Sequence, residues 1–385
     1  MGRYKMKKRI LLVTERRADY TKIRPILFEI MKSNNLEYFL IVTGTHLLKE
    51  YGHTIDEIKK DGFKIKATFS MISKKRIDSG AEMTRSFGRA VINLSDLIEK
   101  IKPDIILSGF DIGANFAAAI IGAHMNIIVA HIEGGEVTGT IDESIRHATS
   151  KFAHIHFTSN VDATNRLKKM GENPKYIFTL GNTSLDGIRN IKNIPKHTLA
   201  KKYNIDFTKP YVLVLQHTVT SEIGKIKENF LNTVLAIKEL KIQTIIIHGN
   251  ADAGSQKILQ IIRNSKMIHY TTIPYNEYIN LLRNSSALVG NSSSGIIEAP
   301  FLRIPTVNIG TRQTGRMRAK SIIDVGYNKE QIKKGIKKAL EDKKFLKMVK
   351  KSKSHYGNGT AATKIVRILE QLDLSKIPIQ KKICY

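Results

Sequence analysis

Tryptophan is missing from the 385-residue chain, and cysteine occurs once, at Cys384. A single thiol excludes an intrachain disulfide framework and fits a reducing compartment, so a cytoplasmic location is expected. No apolar run reaches about 18 residues, so no membrane span is expected. The opening MGRYKMKKRILLVTERRADY has an apolar stretch too short for a secretion signal and long enough for a first strand. Acidic residues are also scarce: 34 Asp and Glu stand against 63 Lys and Arg, a formal charge of +29. Such a field can mark nucleic-acid binding, but the basic residues are spread along the chain rather than gathered with aromatics into one module. No nucleic-acid partner is therefore expected. The densest basic run, Lys329 to Lys353, repeats Ile332, Ile336, Leu340, Phe345 and Met348 at near-helical spacing and reads as solvated helix faces over a core. A positive field of this kind favours a small anionic ligand.

What is present is strand–helix alternation on a length that suits two domains. Strands are expected at Arg9–Val13, Glu37–Val42, Lys64–Phe69, Asp104–Leu107, Ile127–Ile132, His154–Thr158 and Tyr176–Thr179. A helix over Thr21–Ser33 has Pro25 near its first turn, where a missing N–H costs little. Met83, Phe87, Val91, Leu94, Ile98 and Ile101 mark one face of a long helix. Polar and basic residues with Pro195 and Pro210 over Asp186–Pro210 read as a linker. A second series follows, with strands at Tyr211–Leu215, Gln243–Ile247, Ile268–Thr272, Ala287–Val289 and Thr306–Ile309. The expected fold class is α/β, with two Rossmann-like doubly wound parallel-sheet domains facing a cleft. The expected bounds are residues 1–190 and 205–358, with the segment from about 359 to 385 packing back on the first domain.

The chemistry-bearing residues follow the strands. His131-Ile132-Glu133-Gly134-Gly135-Glu136 leaves an apolar strand, and Asp142, Glu143, Arg146 and His147 follow on an expected helix. Paired glycines allow a turn closed to other residues, and strand carboxyl ends are where open α/β sheets bind ligands. The alternative is a polar loop whose acids favour a helix N-terminus. Asp111, after the strand Asp104–Leu107, is a helix cap or a catalytic group; Gln216-His217, able to face it and Glu133 across the cleft, favours the latter. Arg16, Arg17 and Lys22 crowd the end of the first strand without a Gly-x-Gly-x-x-Gly, so a dinucleotide site of the usual kind is not expected. They form either a phosphate site or a solvated basic loop. His248 to Gly254 is a phosphate or sugar contact, or only a cap. Gly290-Asn291-Ser292-Ser293-Ser294-Gly295 directs N–H groups and hydroxyls at one spot, with Glu298 one turn on to accept from ribose hydroxyls. Arg312, in Gly310–Arg316, reads as a diphosphate clamp. No metal-ligand spacing appears, so no metal is expected.

Together these motifs resemble the UDP-N-acetylglucosamine 2-epimerases, specifically the hydrolysing branch that opens sialic-acid-type pathways. The matching pieces are RADY at Arg17–Tyr20, HIEGGE at His131–Glu136, GTIDESIRH at Gly139–His147, QH at Gln216–His217, NADAGS at Asn250–Ser255, GNSSSG at Gly290–Gly295 and GTRQTGR at Gly310–Arg316. The resemblance implies a glycosyltransferase-B-type fold, a nucleotide-sugar substrate, no cofactor and a homo-oligomer, dimer or tetramer. It implies that Asp111, Glu133 and Asp142 are catalytic acids, with His217 and Arg312 attending the leaving diphosphate. Ser292, Ser293 and Glu298 would hold the nucleotide and Arg17 the phosphates or sugar, while Thr21, Arg146 and Asn250 complete the expected contacts. Ile112 stands where this branch carries Arg. The implied reaction releases a free N-acetylmannosamine-type sugar and nucleoside diphosphate. A non-hydrolysing epimerase and a glycosyltransferase of the same fold are the alternatives.

Overall fold

Short runs of Ile, Leu and Val set the architecture, because a strand covered on both faces needs apolar residues at every position. In the computed structural model, which describes residues 7–73, 79–110 and 113–384, these runs form two wholly parallel sheets. The first contains β1 (Lys8–Thr14), β2 (Leu36–Val42), β3 (Ile65–Thr68), β4 (Ile105–Gly109), β5 (Ile128–Ile132), β6 (Ile155–Thr158) and β7 (Ile177–Thr179). Their spatial order is β3-β2-β1-β4-β5-β6-β7. The second contains β8 (Tyr211–Leu215), β9 (Gln243–Ile247), β10 (His269–Tyr270), β11 (Ala287–Gly290), β12 (Thr306–Ile309) and β13 (Ile322–Val325), ordered β10-β9-β8-β11-β12-β13. Each sheet reverses its winding beside its first strand, so the crevices at the carboxyl ends of β1/β4 and β8/β11 are the natural ligand positions. Among the described residues no helix is long and apolar enough to cross a membrane.

The first helix, Arg17–Lys32, starts four residues before the expected Thr21. The carboxylate of Asp19 turns back to accept from the N–H groups of Glu15 and Arg16 at 2.8 and 3.1 Å and from the Thr14 hydroxyl at 2.8 Å. That satisfies donors at the helix start, and it leaves Pro25 in the helix interior rather than the first turn. The expected linker also contains structure: Ser184–Arg189 and Lys196–Tyr203 are helices. Leu185, Ile188, Leu199 and Tyr203 bury into the core beneath the second sheet, and four apolar anchors among many lysines were too sparse to signal it. The expected strand Ile268–Thr272 shortens to His269–Tyr270 at a sheet edge, and β13 adds an opposite edge with no strong apolar run of its own.

The chain crosses between the halves twice, and the crossings touch. The N–H of Asn182 donates to the carbonyl of Tyr356 at 2.7 Å. Beyond the second crossing, the helix Ala361–Gln371 packs Ala362, Ile365, Val366 and Leu369 into the core of the first sheet. Asp186 caps its start by accepting from the N–H groups of Ala361 and Ala362 at 3.1 and 2.7 Å. Lys8 closes its other end on the carbonyls of Leu369 and Glu370, both at 2.9 Å.

Candidate functional site

The two crevices face each other across a cavity of about 140 Å³. Arg16, Arg17, Thr21 and Lys22 line it from the first half, with His217, Asn250, Ser292, Ser293, Glu298 and Arg312 from the second. Asp111 and Ile112 lie outside the described residues.

On the second half, Asn291 fixes the geometry. Its side-chain oxygen accepts from the N–H of His217 at 2.6 Å and its amide donates to the His217 carbonyl at 2.9 Å, which locks the end of β8 to the end of β11. The backbone carbonyl of Asn291 accepts from Arg312 at 3.2 Å and Gln313 at 2.8 Å. Nδ1 of His217 accepts from the N–H of Asn250 at 3.2 Å, so in the neutral ring the proton sits on Nε2. Burial holds the imidazole well below its ordinary pKa, helped by Arg312, Arg16 and Arg17. The ring is thus a neutral donor at working pH. Ser292 accepts from the N–H of Ser294 at 3.3 Å, and Ser294 shares a 2.6 Å hydrogen bond with Tyr278. Burial raises the Glu298 carboxyl above its usual range, and its Oε2 has no protein partner among the described residues.

On the first half, Glu133 has φ +62°. A residue with a Cβ is held there at a cost of about 1 kcal/mol. Of the glycine pair after it, Gly135 takes the turn at φ +80° and could carry no side chain, since a Cβ would lie 2.2 Å from the Ala163 carbonyl oxygen. Both Glu133 oxygens are held: Lys22 donates to Oε2 at 2.8 Å and Asn182 to Oε1 at 2.6 Å. Glu133 is 1% exposed and is not on the cavity wall; Lys22 and Phe110 stand between. Glu136 is likewise buried, accepts from Asn160, and is raised above its ordinary pKa chiefly by burial.

Asp142 sits at the start of the helix Ile141–Phe152, which Thr140 caps by accepting from its N–H at 3.3 Å. It lies 3.7 Å from the Arg312 guanidinium of the other half. The halves meet beside this pair: the N–H of Gly139 donates to the Arg312 carbonyl at 3.0 Å, and Arg316 donates to the Val137 carbonyl at 2.9 Å. Asp142 also opens on a neighbouring cavity of about 490 Å³ lined by Met71, Met83, Phe87, Phe116 and Ile145. Glu15 on its wall is pushed up to about 7, by burial first and by Asp19 and Asp252 after it.

Not every candidate reaches the cavity. Arg146 is fully buried and donates to the carbonyl of Glu136 at 3.1 Å, supporting the acidic loop from behind because its helix turns that face inward. The hydroxyl of Thr21 lines the cavity but donates to the Ala18 carbonyl at 2.9 Å. Arg17 reaches across to Thr272 and to the Ile273 carbonyl at 2.9 Å. Sequence reasoning missed Asn182, Asn160 and the fastening role of Asn291. Asn182 did carry a signal, as a polar residue after Gly181 at a strand's carboxyl end. Among the described residues, no three His, Cys, Asp or Glu side chains are grouped to hold a metal ion.

The family model described as UDP-N-acetylglucosamine 2-epimerase matches residues 29–370. The UDP-N,N'-diacetylbacillosamine 2-epimerase (hydrolyzing) of Legionella pneumophila subsp. pneumophila is 34% identical over 375 residues, covering 96% of this chain and 97% of its own. The UDP-N-acetylglucosamine 2-epimerase of Neisseria meningitidis serogroup B is 36% identical over 342 residues, covering 88% and 89%. A crystal structure of UDP-GlcNAc 2-epimerase from Neisseria meningitidis bound to UDP-GlcNAc has the same fold, with a TM-score of 0.81 at 20% identity over 94% of this chain and 99% of that one. The chain belongs to the UDP-N-acetylglucosamine 2-epimerase family.

Proposed function

We propose that the protein is a hydrolysing 2-epimerase. It converts UDP-N-acetylglucosamine, or a related nucleotide-linked 2-acetamido sugar such as the 2,4-diacetamido-6-deoxy form, to the free N-acetylmannosamine-type sugar and nucleoside diphosphate. The observation that carries this reading is the meeting of Asp142 with Arg312 across the cleft, beside the neutral donor His217. A carboxylate from one half and a cation with an N–H donor from the other suit a substrate whose anomeric carbon bears a diphosphate.

The hydrogen at C2 of such a sugar is not adjacent to a ring carbonyl, so direct deprotonation is too difficult. Elimination is feasible. The C1–O bond to the diphosphate breaks with its electron pair leaving on oxygen, positive charge builds at C1, and a carboxylate takes the C2 proton, forming the C1=C2 bond of a glycal. Water then adds: hydroxide to C1, and a proton to C2 from the opposite face. Arg312 and Nε2–H of His217 stabilise the departing charge. The acids Asp111 and Asp142, with Glu133 once Lys22 moves from its Oε2 to the diphosphate, steady the cation and move the protons, each step worth roughly 10²–10⁴ in rate. Ser292, Ser293 and Glu298 hold the nucleotide, the free Oε2 of Glu298 accepting a ribose hydroxyl. The apolar cavity beside Asp142 receives the sugar's methyl and acetamido groups.

The family membership supports the 2-epimerase reading, and the hydrolysing activity named for the Legionella relative supports hydrolysis. The enzyme works in the cytoplasm, in a sialic-acid-type pathway, as a dimer or tetramer. Leu231 and Leu235, one turn apart and exposed on the helix Ile226–Leu240, support self-association. Turnover in D₂O over a panel of UDP- and GDP-linked sugars, followed by NMR, tests the function. Free sugar carrying deuterium at C2 is expected. Epimerised sugar still bound to nucleotide would turn the reading to the non-hydrolysing reaction, and unlabelled free product would refute the elimination.

A further inference from the structure

Glu133 is held at both oxygens, and its two partners differ in what else they hold. Lys22 belongs to the first helix, lies over the ring of Phe110 and also faces Glu298 of the second half across the cavity. Asn182 sits where the chain leaves the first half, and all of its hydrogen-bonding groups are engaged. Its backbone N–H donates to the Tyr356 carbonyl on the returning crossing at 2.7 Å. Its side-chain oxygen accepts from the N–H and the hydroxyl of Ser184 at 3.0 and 2.8 Å. Its side-chain amide donates to Glu133 Oε1 at 2.6 Å and to Ser159 at 3.4 Å. With its oxygen occupied by two donors, the amide cannot flip without losing them. The side chain is therefore fixed with N–H toward the acid, and the residue is 2% exposed.

We propose that Asn182 is a positioning residue of the hinge, orienting the Glu133 carboxylate and coupling it to the relative placement of the two halves. The two crossings are bonded to one another at Asn182 and Tyr356, so a rotation of the halves about this point would act on Asn182. Asn182 transmits it to Glu133 through a single short hydrogen bond. Its significance for turnover rests on the proposed function; the contact itself does not.

The other charged groups around Glu133 are Lys22 from the first helix, Glu136 from its own loop with Arg146 and Arg316 beside it, and Glu298 from the second half, with the phenol of Tyr356 at the hinge. Lys22 already holds one Glu133 oxygen and the Asn182 amide the other, so a carboxylate in place of that amide is costly. Asn182→Asp replaces the donor with an acid that must share a proton with Glu133. The expected result is a rise of roughly one unit or more in the acidic limb of the kcat/KM–pH profile. Asn182→Ala should lower kcat on the order of tenfold to a hundredfold through misplacement of the acid, while the dissociation constant for UDP stays within about twofold. A purely structural role would lower Tm in both variants and leave the pH profile where it was, which overturns the proposal. The Tm difference between wild type and Asn182→Asp should widen from pH 5 to pH 8, because a shared proton is lost as pH rises. That measurement needs no turnover, so a constant difference refutes the contact even if no nucleotide-sugar is a substrate. Should Asn182→Asp not fold, unchanged kcat in Asn182→Ala is sufficient refutation.

Discussion

Gly139 is where the closeness of the two halves can be altered by one methyl group. Its φ is not in the left-handed region, so alanine is locally acceptable. An added Cβ would stand 2.3 Å from the carbonyl oxygen of Thr311 on the opposite half. Carbon and oxygen sit comfortably at about 3.3–3.6 Å, and the obstructing atom is backbone, so the halves must part by roughly 1 Å. The parting falls between Asp142, three residues on, and Arg312, one residue on from Thr311. Misplacement by about 1 Å can lower turnover roughly a hundredfold, equivalent to about 2.7 kcal/mol in the barrier. Neither apolar core includes Gly139 or Thr311, so Tm should change little. Gly139→Ala should therefore show wild-type melting, UDP binding within about twofold by calorimetry, and a hundredfold loss of kcat in the free-sugar assay. Wild-type kcat in a folded Gly139→Ala protein would show that contact across the cleft is not needed for chemistry, and the assignment of roles to Asp142 and Arg312 would fail with it.

Glu133→Gln should lower turnover roughly a hundredfold or more while leaving nucleotide affinity, measured by calorimetry, nearly intact. Glu15→Gln should act on stability and with a definite pH dependence. The folded carboxyl titrates near 7 against an ordinary 4.5, so the folded protein holds a proton there that the unfolded chain has released. Stability supplied by that proton is complete below the unfolded value and is lost as pH rises through 7. Glutamine removes the loss, so the Tm of Glu15→Gln relative to wild type should be higher at pH 8 than at pH 5; a difference independent of pH would refute the raised carboxyl.

The fold was legible because both signals that define it are local. Apolar strand runs and alternation with helices identified the parallel sheets, and glycine- or acid-bearing segments after the strands located the two crevices. What stayed illegible depends on tertiary contact. The helix Lys196–Tyr203 looks like a basic linker until Leu199 and Tyr203 are seen to reach a core supplied by other elements. Arg146 reads as a ligand by its motif, yet helix phase buries it beneath the Glu136 carbonyl. Pro25 appeared to mark a helix start because nothing in the chain announces that Asp19 folds back on Glu15 and Arg16. Asn182 contacts a residue 49 positions away, and only the side-by-side order β5-β6-β7 of the first sheet brings them together.

The division of charge between the halves gives the cleft a direction of events. Arg312 already has one amino group on the Asn291 carbonyl and the other 3.7 Å from Asp142. A diphosphate brings more negative charge than one carboxylate and matches the guanidinium bidentately, so its arrival draws Arg312 away from Asp142. The carboxylate then gives up that cationic neighbour beside the apolar cavity. On the proposed reaction, this would leave Asp142 facing the sugar only when a leaving group is in position. On that proposal, binding on the second half would prepare Asp142 on the first. The neutral His217 fits the same scheme, since a donor held far below its ordinary pKa can support the diphosphate without pairing with Asp142 in its absence.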